Sequence, residues 1–479
     1  MIRPLATEVV AHHLRLFGVR DATAGDDDAP RHLTIVDGQG GDAAAAASVD
    51  ARAGGVVVAL DPTPAFCATF GVTSTAIDVA PPLQMILSAT TGIVQQRLRT
   101  LHSAQRFAHA EGVPVVIHDS GVATWFWLPV GAGGILFVGT DLAADLVRYR
   151  QGDPAKEHAR PTDPVWGIAG ERPLYLFEEQ IAGEDPAARH ADAWAMATAH
   201  IAACHLRRPL QPMLPGNAPG AVIITGDDDQ AFLEKYEEQL ALLGRTPITY
   251  LLHPLTRHTG KTVRTMLGKP WIDLGVHPDA LETPAEYGAL LKQQCDWFRR
   301  LTGKPPVSLR NHGFLNDGYW RHLPHWLDEG VRISSNLPGL DGRVLNGSLL
   351  PARLAYGDRL TNHWSMLTAF GDGMIFALGM TDAEAGARVR DLAEKVVASG
   401  IPGIIVLNLH PQNVAETRAM HRAALDVIDD GFVAWTLRDC LNWFDAVDAG
   451  QRPREHAGIT DRLRTWLHRR LRRLEPGRR

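Results

Sequence analysis

The sequence predicts an α/β protein with an N-terminal doubly wound α/β domain and a C-terminal β/α barrel. Three observations carry that expectation. Short apolar, β-branched runs alternate with longer stretches of helical period, the pattern of strands interleaved with helices. In the C-terminal half several of the apolar runs end in ionisable residues, where barrel strands place their chemistry. A length of 479 residues accommodates two or three cores of ordinary size.

The N-terminal domain is assigned to residues 1–150. Residues 33–37 (LTIVD), 55–60 (GVVVAL), 114–118 (PVVIH), 124–130 (TWFWLPV) and 134–139 (GILFVG) read as strands, and residues 94–111 as a helix between them. Glycine pairs and triplets punctuate the junctions. Gly38, Gly40 and Gly41 follow the first strand, but Ala43 stands where a dinucleotide fingerprint needs its last glycine, so a tight turn explains them as well as a nucleotide does. The run from residue 115 to 141, with its acidic turn and its LPVGAGG segment, resembles the glutamine-amidotransferase-like domains attached to some glycan-active proteins. Such domains, when catalytic, seat their cysteine on a glycine-flanked elbow. Cys67 lies in PAFCATF without those glycines, so it reads as a buried helical cysteine and the domain as non-catalytic.

Residues 151–216 form a connector. Its prolines at 154, 161, 164 and 173 predict an extended start, residues 188–205 a helix, and Pro209, Pro212, Pro215 and Pro219 the entry to the next domain. His190, Asp192 and Trp194 belong to that helix, where packing is the default role.

The second domain spans residues 217–450. Residues 221–225 (AVIIT) form a buried strand, Gly226 releases the chain, and Asp227, Asp228 and Asp229 follow at the strand's carboxyl end. Three adjacent carboxylates repel one another and call for hydration or a divalent cation; a solvated turn or a helix cap is the plainer alternative. Residues 232–243 then place Phe232, Leu233, Tyr236, Leu240 and Leu243 at helical spacing, and residues 247–252 give the next strand. Three further apolar runs end in His277 and Pro278, in Arg310, Asn311 and His312, and in His410 and Pro411. Recurrence at four strand ends outweighs the reading of any one histidine as a satisfied core residue.

These motifs resemble the polysaccharide deacetylases with a NodB-like domain, over roughly residues 221–446. The resemblance implies a distorted, incomplete (β/α) barrel and a metal-dependent amide hydrolase. It makes Asp227 the general base, Asp228 or Asp229 the metal carboxylate, His277 (LGVHPD) a metal ligand, Arg310 (SLRNHG) the partner of Asp227, and His410 (LNLHPQ) the general acid. One departure stands out. The family usually carries a second histidine or a serine four residues after the first, and here that position is Leu281. A third protein ligand must then come from elsewhere. His312 is the first substitute and His253 the second, while a degraded site that only binds its ligand is the alternative.

The expected cofactor is one divalent ion, zinc by its carboxylate and imidazole donors. Substrates would be an amide on a carbohydrate or glycan precursor, with a small non-sugar amide or a silent glycan-binding scaffold as rivals. Trp320, Trp326 and Trp364 near the proposed rim are of a type that can stack on sugar faces, although such residues more often serve core or lid packing.

Composition bounds the setting. The 48 basic and 54 acidic residues give a formal charge of -6, which argues against nucleic acid as a partner. No apolar run reaches the length needed to span a bilayer. The first residues lack the apolar core of a signal peptide, and the four cysteines are scattered, so a cytoplasmic, disulfide-free protein is expected. Residues 451–479 form a basic amphipathic tail, with Leu463, Trp466, Leu467, Leu471 and Leu474 on one stripe; it would dock on the protein or make peripheral membrane contact.

Overall fold

The computed structural model describes residues 3–19, 32–87, 97–158, 173–181, 185, 187–339 and 342–451. The amphipathic tail and Pro161 and Pro164 of the connector lie outside the described residues.

The N-terminal strands are β1 (Leu33–Asp37), β2 (Val56–Leu60), β3 (Thr73–Ala76), β4 (Leu83–Leu87), β5 (Arg97–Thr100), β6 (Gln105–Ala108), β7 (Val113–His118), β8 (Ala123–Val130) and β9 (Gly133–Val138). Seven of them make one sheet in the order β1-β2-β9-β8-β7-β4-β5. Helices cover both faces, as the sequence suggests, and the alternation of β2 shows why all its residues are buried. Val57 and Ala59 pack on Ala44, Ala47, Phe66 and Cys67, whereas Val56, Val58 and Leu60 join the core on the opposite face. The pairing is mixed: β1, β2 and β9 run parallel, and β8, β7, β4 and β5 continue antiparallel.

Of the helix expected over residues 94–111, the described residues 97–111 form no helix. Residues 97–100 pair with β4, and residues 105–108 pair antiparallel with β3 in a separate two-stranded sheet. The spacing of Leu98 and Leu101 suits either structure, and pairing with remote strands decided it. Cys67 does sit buried in a helix, Pro64–Thr69, where burial pushes its thiol up to about 11. The corner between β2 and that helix is taken by Asp61 at φ +40°.

The connector helix forms as His190–Leu206, buried on nearly every side, which its alanine-rich, apolar-all-round sequence allows. Asp192 within it accepts hydrogen bonds from Arg189 (2.7 Å), Arg150 (3.1 Å), the Ser348 hydroxyl (2.6 Å) and Leu349 N (2.9 Å). It therefore ties the connector to both halves of the chain.

The C-terminal strands are β10 (Gly220–Asp227), β11 (Ile248–Leu252), β12 (Ile272–Val276), β13 (Ser308–Leu309), β14 (Ile333–Pro338), β15 (Ala352–Tyr356), β16 (Arg359–Thr368), β17 (Phe370–Gly371), β18 (Gly403–Asn408) and β19 (Val433–Trp435). From β10 to β14 and on to β16 each neighbour is parallel. β16 continues through Ala369, whose N–H donates to Val406 O, into β17; β17 pairs with β18, and β18 returns to β10. The sheet thus curls back on itself with its strand ends at one rim. β15 extends it antiparallel, β19 pairs the first half of β10, and the two-residue β13 and β17 are the irregular staves. Among the described residues no helix is long and apolar enough to cross a membrane.

Candidate active site

β10 runs two residues further than the sequence suggests and includes Gly226 and Asp227. Gly226 is favoured by space and not by a turn: a Cβ there would press on Leu409 O and the Tyr250 ring at 3.0 Å. The strand delivers Asp227 to the rim 2% exposed. Arg310 Nη1 donates to its Oδ1 (2.9 Å) and Asn408 Nδ2 to its Oδ2 (2.7 Å). Burial alone would raise this carboxyl, but Arg310 foremost, then His277 and His410, hold it below its ordinary range.

Arg310 is no surface cation. It is fully buried, and its other N–H groups donate to Ser335 O, Ser335 Oγ, Thr225 Oγ1 and Thr368 Oγ1 at 2.9–3.1 Å. Partners from β10, β14 and β16 leave the guanidinium one orientation.

Asp228 and Asp229 part company. Asp228 turns into the core, where Tyr236 OH donates to Oδ1 (2.5 Å) and His253 N to Oδ2 (3.2 Å). Of the two carboxylates the sequence leaves open as the metal ligand, Asp228 has both oxygens engaged away from the rim. Asp229 takes a left-handed backbone, φ +38°, with Gln230 at +62°, a conformation aspartate tolerates better than most residues. That turn points its carboxylate back over the strand ends. Oδ1 lies 3.2 Å from His277 Nε2 and 3.7 Å from His312 Nε2, and Oδ2 lies 3.3 Å from His410 Nε2. Burial opposes its ionisation, yet His277 and His410 hold it well below the usual carboxylate range.

His277 Nδ1 hydrogen-bonds Arg310 O (2.7 Å), which assigns the ring proton to Nδ1 and leaves Nε2 as a lone-pair donor. His277 Nε2 and Asp229 Oδ1, 3.2 Å apart, are both buried and make no aligned hydrogen bond. Two such atoms aimed at one point, with His312 completing a group whose ligand atoms lie within 4.8 Å of one another, fit a divalent cation. The field agrees: burial would lower His277, but Asp227 and Asp229 raise it, as in a site that favours positive charge. Leu281 packs against the outer core and offers nothing to an ion. His253 faces Asp279 instead, with Nε2 at 3.3 Å from Oδ2.

On the opposite side His410 presents Nε2 at 3.8 Å from Asp227 Oδ2, while its Nδ1 is in short contact with Asp372 Oδ1. Asp372 also accepts from His410 N (2.8 Å) and Asn413 Nδ2 (3.2 Å). Burial alone would lower His410; Asp372 and Asp229 raise it well above its ordinary value. Asp372 and Asp279 escaped the sequence reading. Asp372 follows a two-residue strand too short to register as one, whereas Asp279, two residues after His277 in HPD, was open to it.

The three tryptophans fill the core, as residues of this type more often do, each at most 1% exposed. Their indole N–H groups donate to Gln151 O, Tyr287 OH and Asp445 Oδ1. On the segments after β10 and β17, Phe232 and Phe376 are 53% and 52% exposed, with the Arg257 guanidinium 3.8 Å over the Phe232 ring.

Neither the models of known protein families nor the sequences of curated proteins match this chain. Solved structures with a similar fold include Puue allantoinase, with 15% identity and TM-score 0.40 over 50% of this chain and 94% of that one. A protein described as a polysaccharide deacetylase from Mycobacterium smegmatis has 18% identity and TM-score 0.37 over 52% and 96% of the two chains. For a polysaccharide deacetylase from Bacillus cereus the values are 16% and 0.30 over 45% and 91%. The chain is similar to these in fold over about half of its length.

Proposed function

We propose that the chain is a metal-dependent hydrolase of an amide, removing an acyl group from a carbohydrate or glycan precursor. The observation that carries this is the convergence of Asp229, His277 and His312 between the Asp227–Arg310 pair and the His410–Asp372 pair. The motif resemblance supports the choice of a carbohydrate amide.

Asp229 Oδ1, His277 Nε2 and His312 Nε2 would hold the ion. Once bound there, a zinc-like ion supplies an acidified water and a counter-charge for the oxyanion. Asp227, kept ionised and oriented by Arg310 and Asn408, takes the proton from the attacking water. His410, kept protonated by Asp372, gives its proton from Nε2 to the departing amine, so the products are a carboxylate and an amine.

The test is acyl release from N-acetylated oligosaccharides by the full chain, before and after metal removal and readdition. Metal-dependent acetate release is expected. Release of ammonia or formate from small amides alone would move the assignment to the non-sugar hydrolase, and no turnover with full metal content would favour the silent binding protein.

A further inference from the structure

Residues 277–283 form no helical turn and Leu281 offers no ligand, so the third ligand must come from elsewhere, and the loop around Asp279 shows how His312 is made fit for it. Asp279 is anchored at both ends of its backbone: its N–H donates to Gln294 Oε1 (2.9 Å), and Gln294 Nε2 donates to its carbonyl (2.7 Å). Leu281 N donates to its Oδ1 (3.1 Å). His253 Nδ1 accepts from Leu255 N (3.1 Å), so the proton of His253 sits on Nε2, 3.3 Å from Asp279 Oδ2. His253, Asp279 and His312 also bring ligand atoms within 4.8 Å of one another, but this tautomer turns a proton and not a lone pair of His253 Nε2 toward Asp279, so the group reads as a hydrogen-bonded support for His312.

The other oxygen of Asp279 faces His312. His312 Nδ1 is buried and has no aligned hydrogen-bond partner; Asp279 Oδ1, at 3.3 Å, is the acceptor in reach. A proton on Nδ1 leaves the Nε2 lone pair on the side of Asp229 and His277.

We propose that Asp279, held by His253, is a positioning residue that fixes the tautomer and ring direction of His312, so that His312 Nε2 fills the coordination place Leu281 cannot. The inference rests on the metal-centre reading above. It replaces a ligand supplied by one helical turn with a histidine from the next strand end, oriented by a carboxylate behind it. Partners of this kind typically change metal affinity ten- to hundredfold.

The experiment is zinc titration of the metal-stripped full chain, compared across Asp279→Ala, Asp279→Asn, His312→Ala and the Asp279→Ala/His312→Ala double variant, with melting curves alongside. Wild type should bind about one ion, both Asp279 variants should weaken binding roughly ten- to hundredfold, and the double variant should bind no more weakly than His312→Ala. Wild-type affinity in both Asp279 variants overturns the proposal. So does an equal loss from Asp279→Ala when His312 is already absent, since Asp279 would then act by another route. Should Asp279→Ala fail to fold, Asp279→Asn, close to it in shape, answers the same question. Absence of zinc binding in the wild type, or binding indifferent to Asp229→Ala, sinks the metal-centre reading itself and is told apart by that control.

Discussion

Arg310 and Asp227 form an ion pair closed to solvent, with Arg310 Nη1 donating to Asp227 Oδ1 over 2.9 Å. The two residues lie 83 positions apart, and the guanidinium makes contacts with three strands besides. Breaking such a pair from one side leaves a buried charge without its partner. Arg310→Met should therefore cost roughly 3–5 kcal/mol of stability. Asp227→Asn leaves the buried guanidinium without its counter-charge, so it should also lose stability, and it should retain the ion while losing turnover by roughly a hundredfold or more. Denaturant melts, metal analysis and steady-state rates on the folded variants check both; equal stability of Arg310→Met and wild type would refute the first.

The neighbouring aspartates should respond in opposite ways. Asp229→Ala should abolish stoichiometric metal and leave the melting temperature little changed. Asp228→Ala should retain metal but lose the anchor of Tyr236 and His253, at a cost of about 1–3 kcal/mol. Metal analysis and thermal melts of the two variants decide it, and metal loss in Asp228→Ala alone would reverse the assignment. His277→Ala should also lose the ion.

Catalysis should fall at high pH as His410 loses its proton. The Asp372 carboxylate raises the pKa of His410 in the folded protein, so Asp372→Asn should move the alkaline limb of the kcat/KM profile to lower pH. An unmoved limb would show that another group is the acid. The stability linked to His410 has the same sign: a raised folded pKa contributes fully below the unfolded value near 6.5 and is lost as pH rises through the folded one.

At the junction of the two sheets Asp448 accepts from His12 Nδ1 (2.9 Å), Arg15 Nε (3.0 Å) and Arg353 Nη1 (2.9 Å). Burial opposes its charge, but these partners hold it well below the ordinary carboxylate range. Because the folded pKa is depressed, its contribution is present above the unfolded pKa, about 3.9, and disappears as pH falls through the folded one. Asp448→Asn should cost roughly 1.5–3 kcal/mol near neutrality and flatten the loss of stability in acid. A variant as acid-sensitive as wild type would contradict this.

The sequence by itself determined the α/β class, most of the strands and the residues gathered at the rim. Apolar runs such as AVIIT and GIIVLN report burial directly, and Asp227, His277, Arg310 and His410 stand at run ends because parallel strands in one barrel finish at one rim. Tertiary structure decided which way side chains point. Nothing local separates Asp228 from Asp229; the left-handed turn at Asp229 and the distant hydroxyl of Tyr236 and amide of His253 do. Residues 97–108 have spacing that suits a helix and become strands because β3 and β4 supply partners. The same holds for Trp320, Trp326 and Trp364, whose burial depends on elements remote in the chain, and for Asp372, which meets His410 only because β17 pairs with β18. Periodicity encodes which face of an element is buried. Contacts between residues far apart in sequence carry no local signature, so the division of labour among the site's carboxylates and imidazoles emerges only when the sheet curls round on itself.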